Sequence, residues 1–330
     1  MSAQPQVPPP WTAQARSALI AAQRAGRLPH ALLIHESPGA GGEWLAHWAA
    51  GLALCQHPAA APCGACTGCR RALAWQHPDL MRVAPLEDSR QIRIEQVREL
   101  AAELALTSHA GGWRAGILSP ADSLNRFAAN ALLKTLEEPP ARTLLMLVAT
   151  EPSRLPATVL SRCQRLSVRA PARAEALAWL MQVRGAGDWG GALDAVGEGP
   201  MLLAQAEPGP LAQIGAETRQ TLDALAAGRA DPLATAERWG RSELALRLRG
   251  FEKWLTERIR SGIVAGADIT ELRAGPYLPG PRAFLNIREL FGLLDEVREL
   301  RTALEVPLNR ALALEALFRR LAPRGAGAAA

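Results

Sequence analysis

Short apolar runs alternate with amphipathic stretches through the first 170 residues of the chain. Five of these runs have the length and composition of buried strands: Ala31 to His35, Asp79 to Val83, Ala115 to Ser119, Leu144 to Ala149 and Gln164 to Val168. Between them, apolar residues recur near helical spacing in Ile92 to Leu106 and in Asp122 to Leu136, the second of which stops before two prolines. This alternation predicts an α/β fold with a parallel sheet.

Strand patterns stop after Pro171, and only helical patterns follow. A Gly-rich stretch at 185–200 and a Pro-Gly-Pro cluster at 208–210 interrupt them. The last third is predicted to hold four amphipathic helices: Leu211 to Ala227, Glu243 to Ile259, Phe284 to Leu304 and Leu308 to Leu321. We therefore predict three domains: an α/β module over residues 1–169, a small helical domain over 170–207 and an all-α domain over 208–330 that ends in a flexible tail.

The charge balance argues against several classes of protein. The chain has 330 residues, of which 37 are basic and 32 acidic, and only Lys134 and Lys253 are lysines. A net charge of +5 and an aromatic content of 5% disfavour a stand-alone nucleic-acid binder, which would concentrate basic charge and stacking rings. No apolar run approaches the ~20 residues of a membrane span, and the first residues lack the pattern of a secretory signal. We expect a cytoplasmic protein that does not bind membranes.

Four cysteines lie close together at Cys55, Cys63, Cys66 and Cys69. Thiolates at this spacing on a Gly-containing loop can wrap one tetrahedral ion, and four sulfur ligands without an open position are typical of structural zinc. An iron–sulfur cluster or redox-active cysteines are the alternatives, and both are less favoured in the absence of a cofactor-domain pattern. The fifth cysteine, Cys163, is interpreted as a small buried apolar residue.

The turn after the first strand has the outline of a phosphate loop but lacks its key residues. When the template G-x-x-x-x-G-K-[ST] is laid on residues 36–43, Glu36 replaces the first glycine, Gly42 the lysine and Glu43 the hydroxyl residue, whereas Gly39 and Gly41 keep the turn glycine-rich. The missing lysine and hydroxyl remove a phosphate counter-charge and a Mg²⁺ ligand, and the added carboxylates repel nucleotide. Glu43, in the first helical turn, would place the protein's own carboxylate in the phosphate niche. We expect no ATP binding or hydrolysis in cis.

The third strand supports the same expectation. An ATPase of this class needs an acidic residue at the end of that strand to hold Mg²⁺. Here the strand runs into Ser119, and Asp122 comes two positions too late, so that it is predicted to be an N-cap or first-turn helix residue.

Ser161, Arg162 and Cys163 precede the last predicted strand. From the residues alone, an arginine at this place is interpreted as a surface charge or as part of a structural ion pair.

Together these segments resemble the delta-prime family of bacterial DNA polymerase III clamp-loader subunits, within the AAA+ superfamily. The resemblance rests on five segments: His30 to Ile34, the four-cysteine module, His77 to Asp79, the run AANALLKTLEEPP at 128–140, and Leu160 to Cys163. The degenerate loop favours this family over its motor paralogue, which keeps the lysine and the hydroxyl.

The resemblance implies a zinc-bearing AAA+ module, a helical lid and a helical collar that joins other subunits into a ring. It implies a non-hydrolysing subunit of the polymerase holoenzyme, without an ATPase or polymerase centre of its own. The implied partners are the motor subunit (gamma/tau), the delta subunit and, through the assembled complex, the sliding clamp and primer–template DNA. An active motor ATPase with an atypical loop is the alternative.

Two single residues take their expected roles from the same resemblance. Arg162, with Ser161 and Cys163 as its motif, would project into the ATP site of the neighbouring motor subunit as an arginine finger. Thr150 matches the first sensor position, and we expect its sensing role to be lost because no phosphate is bound nearby.

Overall fold

The computed structural model describes residues 5, 7–86, 89, 91–197, 199–264, 287–305 and 309–322. The chain forms two compact units, one comprising Met1–Val183 with Gly199–Met201 and the other Arg184–Glu198 with Leu202–Ala330. Within the described ranges, no helix combines the length and the apolar character that crossing a bilayer requires. The three-domain division stays a prediction.

A parallel five-stranded sheet forms the centre of the first unit. Its strands are β1 (Ala31–Glu36), β2 (Leu80–Val83), β3 (Arg114–Leu118), β4 (Thr143–Ala149) and β5 (Gln164–Val168). Their spatial order is β2-β3-β4-β1-β5, and Leu33 of β1 lies opposite Leu147 of β4. The predicted parallel α/β architecture is confirmed, and each strand lies within two residues of its predicted bounds.

Helices connect these strands in the first unit. They are α1 (Ala13–Arg24), α2 (Gly42–Ala53), α3 (Thr67–Leu73), α4 (Ile94–Ala105), α5 (Arg126–Glu137), α6 (Ala157–Leu160) and α7 (Arg173–Arg184). Leu32 and Ile34 of β1 share a buried cluster with α2, whereas Leu33 shares another with α4 and α5. Because successive strand residues point to opposite faces, this division places apolar cores on both sides of the sheet.

The last strand departs from its prediction as a buried strand. β5 is an edge strand, and of its five residues only Val168 is buried. An edge strand has one neighbour instead of two, so that polar residues such as Gln164 and Arg165 remain in solvent.

The C-terminal region is helical, as predicted. Its helices are α8 (Trp189–Val196), α9 (Pro200–Leu203), α10 (Pro208–Ala226), α11 (Pro232–Arg241), α12 (Leu244–Val264), α13 (Ile287–Thr302) and α14 (Arg310–Leu321). In the core of the second unit, the Trp239 ring packs edge-on against Phe318, with 5.0 Å between ring centroids. Pro208 forms the first turn of α10 rather than a break before it, since proline is tolerated at that position.

Three of the predictions fall on other parts of the chain. The predicted helix starts at Phe284 and Leu308 and the predicted C-terminal tail lie outside the described residues.

Candidate metal centre and phosphate loop

The four clustered cysteines converge on one point beside α3. Cys55 follows α2, Cys66 is the N-cap of α3 and Cys69 lies in the first turn of α3. All four Sγ atoms, that of Cys63 included, lie within 4.8 Å of one another. The Sγ atoms of Cys55 and Cys66 are 4.0 Å apart, and those of Cys63 and Cys69 are 3.9 Å apart.

These distances fit a tetrahedral metal. With Zn–S bonds of about 2.3 Å, the sulfur atoms of a tetrahedral site lie roughly 3.8 Å from each other. The cluster could therefore hold a metal ion such as zinc, with every position filled by protein sulfur.

Backbone N–H groups point at three of the sulfur atoms. The N–H of His57 donates to Cys55 Sγ at 3.4 Å, that of Cys66 to Cys63 Sγ at 3.4 Å, and that of Cys69 to Cys66 Sγ at 3.3 Å. Burial raises the pKa of the Cys66 thiol, but the N–H donors of Cys69 and Gln56 and the neighbouring thiols outweigh this effect and lower the pKa to about 6. The loop thus favours the thiolate form, which a metal requires, at Cys66, whereas burial raises the pKa of the Cys55 and Cys69 thiols.

A glycine in α3 allows the close approach of the two halves of this module. A Cβ at Gly68 would lie 2.4 Å from the carbonyl oxygen of Leu54, at the end of α2. Any side chain at position 68 would therefore push α3, which carries Cys69, away from Cys55.

At the phosphate loop, the carboxylate of Glu36 accepts the hydrogen bonds that a phosphate would otherwise receive. The N–H groups of Gly41 and Gly42, at the start of α2, donate to Glu36 Oε2 at 3.0 and 2.5 Å. Gly41 has φ +102°, which a glycine adopts readily. Helix N-termini favour anions, and here the anion belongs to the chain itself.

This arrangement changes one detail of the sequence interpretation. Glu43 does lie in the first turn of α2, but its carboxylate turns away from the loop, to Arg82 Nε at 2.7 Å and to the Ser119 hydroxyl at 3.1 Å. The carboxylate in the phosphate niche is that of Glu36. The signal in the sequence was a glutamate at the first glycine position of the template.

The neighbourhood of Glu36 is electrostatically unfavourable for another anion. Burial raises the pKa of Glu36, and the charges of Glu43 and Asp122 raise it further, whereas the N–H groups of Gly42 and Gly41 oppose the increase. The Glu36 carboxylate therefore occupies the place where a nucleotide phosphate would lie, and the charges of Glu43 and Asp122 nearby also repel an anion there.

The first sensor position is also used internally. Asp122 Oδ2 accepts from the Thr150 N–H at 3.0 Å, the Thr150 hydroxyl at 2.9 Å and the Glu151 N–H at 2.8 Å. Asp122 lies in a 3₁₀ turn after β3, as its predicted first-turn position indicated. The Thr150 hydroxyl thus donates its hydrogen bond to Asp122.

Two segments distant in sequence cover the loop, and neither contact is evident from the sequence pattern. The Trp11 indole N–H donates to the Ala40 carbonyl oxygen at 2.7 Å, and the N–H of Met201 donates to the Gly39 carbonyl oxygen at 3.1 Å. The Met201 side chain lies over Gly41, where a Cβ would come within 3.0 Å of Met201 Cγ.

Further tryptophans hold the N-terminal segment in place over the module. The Trp44 indole N–H donates to the Pro5 carbonyl oxygen at 3.1 Å, and that of Trp179 donates to the Val7 carbonyl oxygen at 3.2 Å. Trp11 and Trp179 pack edge to face with ring centroids 5.2 Å apart. These contacts hold the segment that carries Trp11 against α2 and α7.

Arg162 lies in the short connection between α6 and β5. It is partly exposed, between exposed Ser161 and buried Cys163, and forms an ion pair with Glu137 at 2.7 Å. Burial raises the pKa of the Cys163 thiol to about 11, which agrees with its interpretation as a small buried residue.

The first unit has a parallel sheet of order β2-β3-β4-β1-β5 and a glycine loop between β1 and α2, and a helical C-terminal region follows. These features fit an α/β module of the AAA+ type. Residues 11–172 match the family described as DNA polymerase III, delta subunit. The match covers just under half of the chain.

Named relatives show the same similarity. DNA polymerase III subunit delta' of Pseudomonas aeruginosa is 45% identical over 153 residues, which are 46% of each chain. The subunit delta' of Escherichia coli is 40% identical over 172 residues, 52% of each chain. DNA polymerase III subunit tau of Escherichia coli is 32% identical over 146 residues, 44% of this chain and 22% of tau. The chain spans about half the length of the delta' relatives that it matches.

Proposed function

We propose that this protein is a subunit of the DNA polymerase III clamp loader that does not hydrolyse ATP. It would act in DNA replication with a motor subunit of the gamma/tau type and a delta subunit, and would help to load the sliding clamp onto primed DNA. The similarity of residues 11–172 to delta' subunits supports the assignment. The protein would belong to a polymerase holoenzyme and contribute no ATPase or polymerase centre of its own.

The observation that carries the non-hydrolysing role is the Glu36 carboxylate in the phosphate loop. Its hydrogen bonds to Gly41 and Gly42 use the donors that cradle phosphates in active relatives of this fold. The chain also lacks a lysine at position 42 and a hydroxyl residue at position 43. A nucleotide would have to displace a buried anion without gaining the usual counter-charge.

Arg162 is the residue through which this protein would contribute to ATP hydrolysis. We assign it as an arginine finger that reaches the ATP site of a neighbouring motor subunit, within the motif Ser161-Arg162-Cys163. Guanidinium groups supplied in this way stabilise charge on the transferring phosphoryl group and accelerate hydrolysis by roughly 10³- to 10⁵-fold. Partial exposure of Arg162 in the isolated chain is compatible with this role.

The remaining parts of the proposal concern architecture. The four cysteines would hold structural zinc, since their distances suit a tetrahedral site without an open position. Residues 170–207 would serve as a lid and residues 208–330 as a collar for oligomerisation. We place the protein in the cytoplasm, with its partner subunits.

The test combines two measurements. The isolated chain should bind no labelled ATP at micromolar concentrations. A complex reconstituted with motor and delta subunits should lose DNA-stimulated ATP turnover when Arg162 is replaced by alanine, although assembly on a sizing column is unchanged. Arg165→Ala, which removes an exposed arginine three residues away, is the matched control. Mg²⁺-dependent hydrolysis by the isolated chain would instead favour the active motor, and unchanged turnover with Arg162→Ala would reject the finger.

A further inference from the structure

The Arg162 side chain is tied to the end of the short helix α6. Its Nη1 donates to the Thr158 carbonyl oxygen at 2.9 Å and to Ser161 Oγ at 3.3 Å. The last carbonyls of a helix lack partners within the helix, and a cation placed there is favoured by the helix dipole. This contact fixes one edge of the guanidinium.

The second edge of the guanidinium is held by a different helix. Arg162 Nη2 lies 2.7 Å from Oε1 of Glu137, the last residue of α5. Leu136 precedes Glu137 and is buried in the same apolar cluster as Val159 of α6 and Cys163. Because these buried neighbours fix both backbones, the carboxylate and the guanidinium meet between two anchored segments.

The two contacts leave donors of Arg162 available. A guanidinium carries five N–H bonds, two on each terminal nitrogen and one on Nε. The Glu137 carboxylate pairs with Nη2, and Thr158 and Ser161 share Nη1. A phosphoryl oxygen can therefore still be reached by a guanidinium whose orientation is already set.

We propose that Glu137 is a positioning residue for Arg162 and orients its guanidinium before the neighbouring ATP site forms. This inference rests on the proposed function of Arg162. The two side chains are 36% and 50% exposed, so that solvent screens the pair and its contribution to folding is small. Its effect should appear in the rate of hydrolysis, because catalysis depends steeply on the placement of reacting and stabilising groups.

Glu138 supplies a matched control. It is the adjacent residue, carries the same charge and is exposed, and it forms no ion pair within the described part of the chain. Replacing Glu138 changes the surface charge at nearly the same place without touching the Arg162 contact.

The experiment compares four variants in the reconstituted complex with motor and delta subunits, in the presence of primed DNA and clamp. Glu137→Ala should lower kcat for ATP by about three- to tenfold and leave KM within about twofold, because orientation is lost but nucleotide binding is not. Glu137→Gln should recover most of the rate, since its amide oxygen keeps a polar acceptor beside Nη2. Glu138→Ala should have the same kcat as wild type. Arg162→Ala should show the full loss of kcat that follows when the guanidinium is removed.

Each result bears on a separate claim. If Arg162→Ala has no effect, the proposed finger fails and the positioning role fails with it. If Arg162→Ala lowers turnover but Glu137→Ala does not, the positioning proposal alone is overturned. Three other results also overturn the positioning proposal. They are faster turnover with Glu137→Ala, equal losses with Glu137→Ala and Glu138→Ala, and no recovery with Glu137→Gln. Thermal unfolding of the isolated variants, expected to match wild type, separates these effects from misfolding.

Discussion

Replacing Glu36 by alanine should open the phosphate loop to an external anion. Alanine removes the carboxylate that accepts hydrogen bonds from the N–H groups of Gly41 and Gly42. Unlike glycine, alanine adds no large conformational freedom to the backbone at the end of β1. Each hydrogen bond to a charged acceptor contributes roughly 1.5–3 kcal/mol, and the cost of burying the carboxylate offsets much of this. The raised pKa of Glu36 indicates that this offset is complete for the ionised side chain, and we expect Glu36→Ala to leave the free energy of unfolding at neutral pH within about 1 kcal/mol of wild type.

In Glu36→Ala, the N–H groups of Gly41 and Gly42 are free to bind phosphate and determine its expected affinity. Two N–H groups at a helix start, without a lysine, should contribute about 3–4 kcal/mol to phosphate binding, which corresponds to a Kd on the order of 1–10 mM. At ten times its Kd, phosphate then raises the free energy of unfolding by about 1.4 kcal/mol. Glu43 and Asp122 stay in place and keep this affinity low.

Thermal or urea unfolding in phosphate, against chloride at equal ionic strength, measures the effect. Glu36→Ala should gain stability in phosphate, whereas wild type should not. Glu95→Ala, which removes an exposed carboxylate from the first turn of α4, should behave like wild type. If phosphate stabilises wild type as much as Glu36→Ala, or stabilises neither, Glu36 does not block an anion site and the reasoning is refuted.

The same residue predicts a dependence on pH. The pKa of Glu36 is raised in the folded protein, chiefly by burial. A raised carboxyl pKa means that the unfolded state releases its proton first, so that the contribution of Glu36 to stability falls as pH rises from the ordinary pKa to the raised one. Glu36→Ala should remove this slope from the pH profile of unfolding.

Other parts of the first unit can be tested in the same way. Asp79 is buried and accepts hydrogen bonds from the Ser108 hydroxyl at 2.9 Å and the His109 N–H at 2.9 Å. Asp79→Asn should therefore lower the free energy of unfolding by about 2–4 kcal/mol in urea titrations. Burial raises the pKa of Asp79, but these hydrogen bonds outweigh burial and lower the pKa, so that this stabilisation is present above the ordinary carboxyl pKa and is lost as pH falls through the lowered one. Cys66→Ser should reduce zinc measured by elemental analysis from one per chain towards none, whereas Cys163→Ser, outside the cluster, should retain it. Trp11→Ala should speed hydrogen exchange of the Ala40 amide, because the indole no longer holds the loop; an unchanged rate would show that the segment does not restrain it.

The pattern of apolar residues was sufficient to predict the sheet of the first unit. Strands such as β4 are buried over all seven residues, and a continuous apolar run is a strong local signal. The close spacing of the cysteines likewise indicated one cluster, because three of them lie within seven positions. Edge strands carry a weaker signal, and β5 was accordingly predicted as buried when most of it is exposed.

The details of the site depend on contacts between residues far apart in sequence. The sequence showed that position 36 holds a glutamate, but not that its carboxylate turns back onto Gly41 and Gly42. The contact of Met201 with Gly39 spans more than 160 positions and depends on how the chain returns to the module. Periodicity carries no information on such pairs, since it reports only which face of an element is buried.

Glu36 and Gly42 depend on each other in the altered phosphate loop. A Cβ at position 42 would come within 2.9 Å of the Glu36 side chain, so that the lysine of an active loop cannot be accommodated while Glu36 holds its present place. Conversely, Glu36 can reach the N–H of Gly42 only because position 42 carries no side chain. The two positions are therefore coupled, and single changes toward an active loop at either one should not add independently. A chain with glutamate at 36 and glycine at 42 thus keeps its phosphate loop closed by the shape of the loop as well as by its charge.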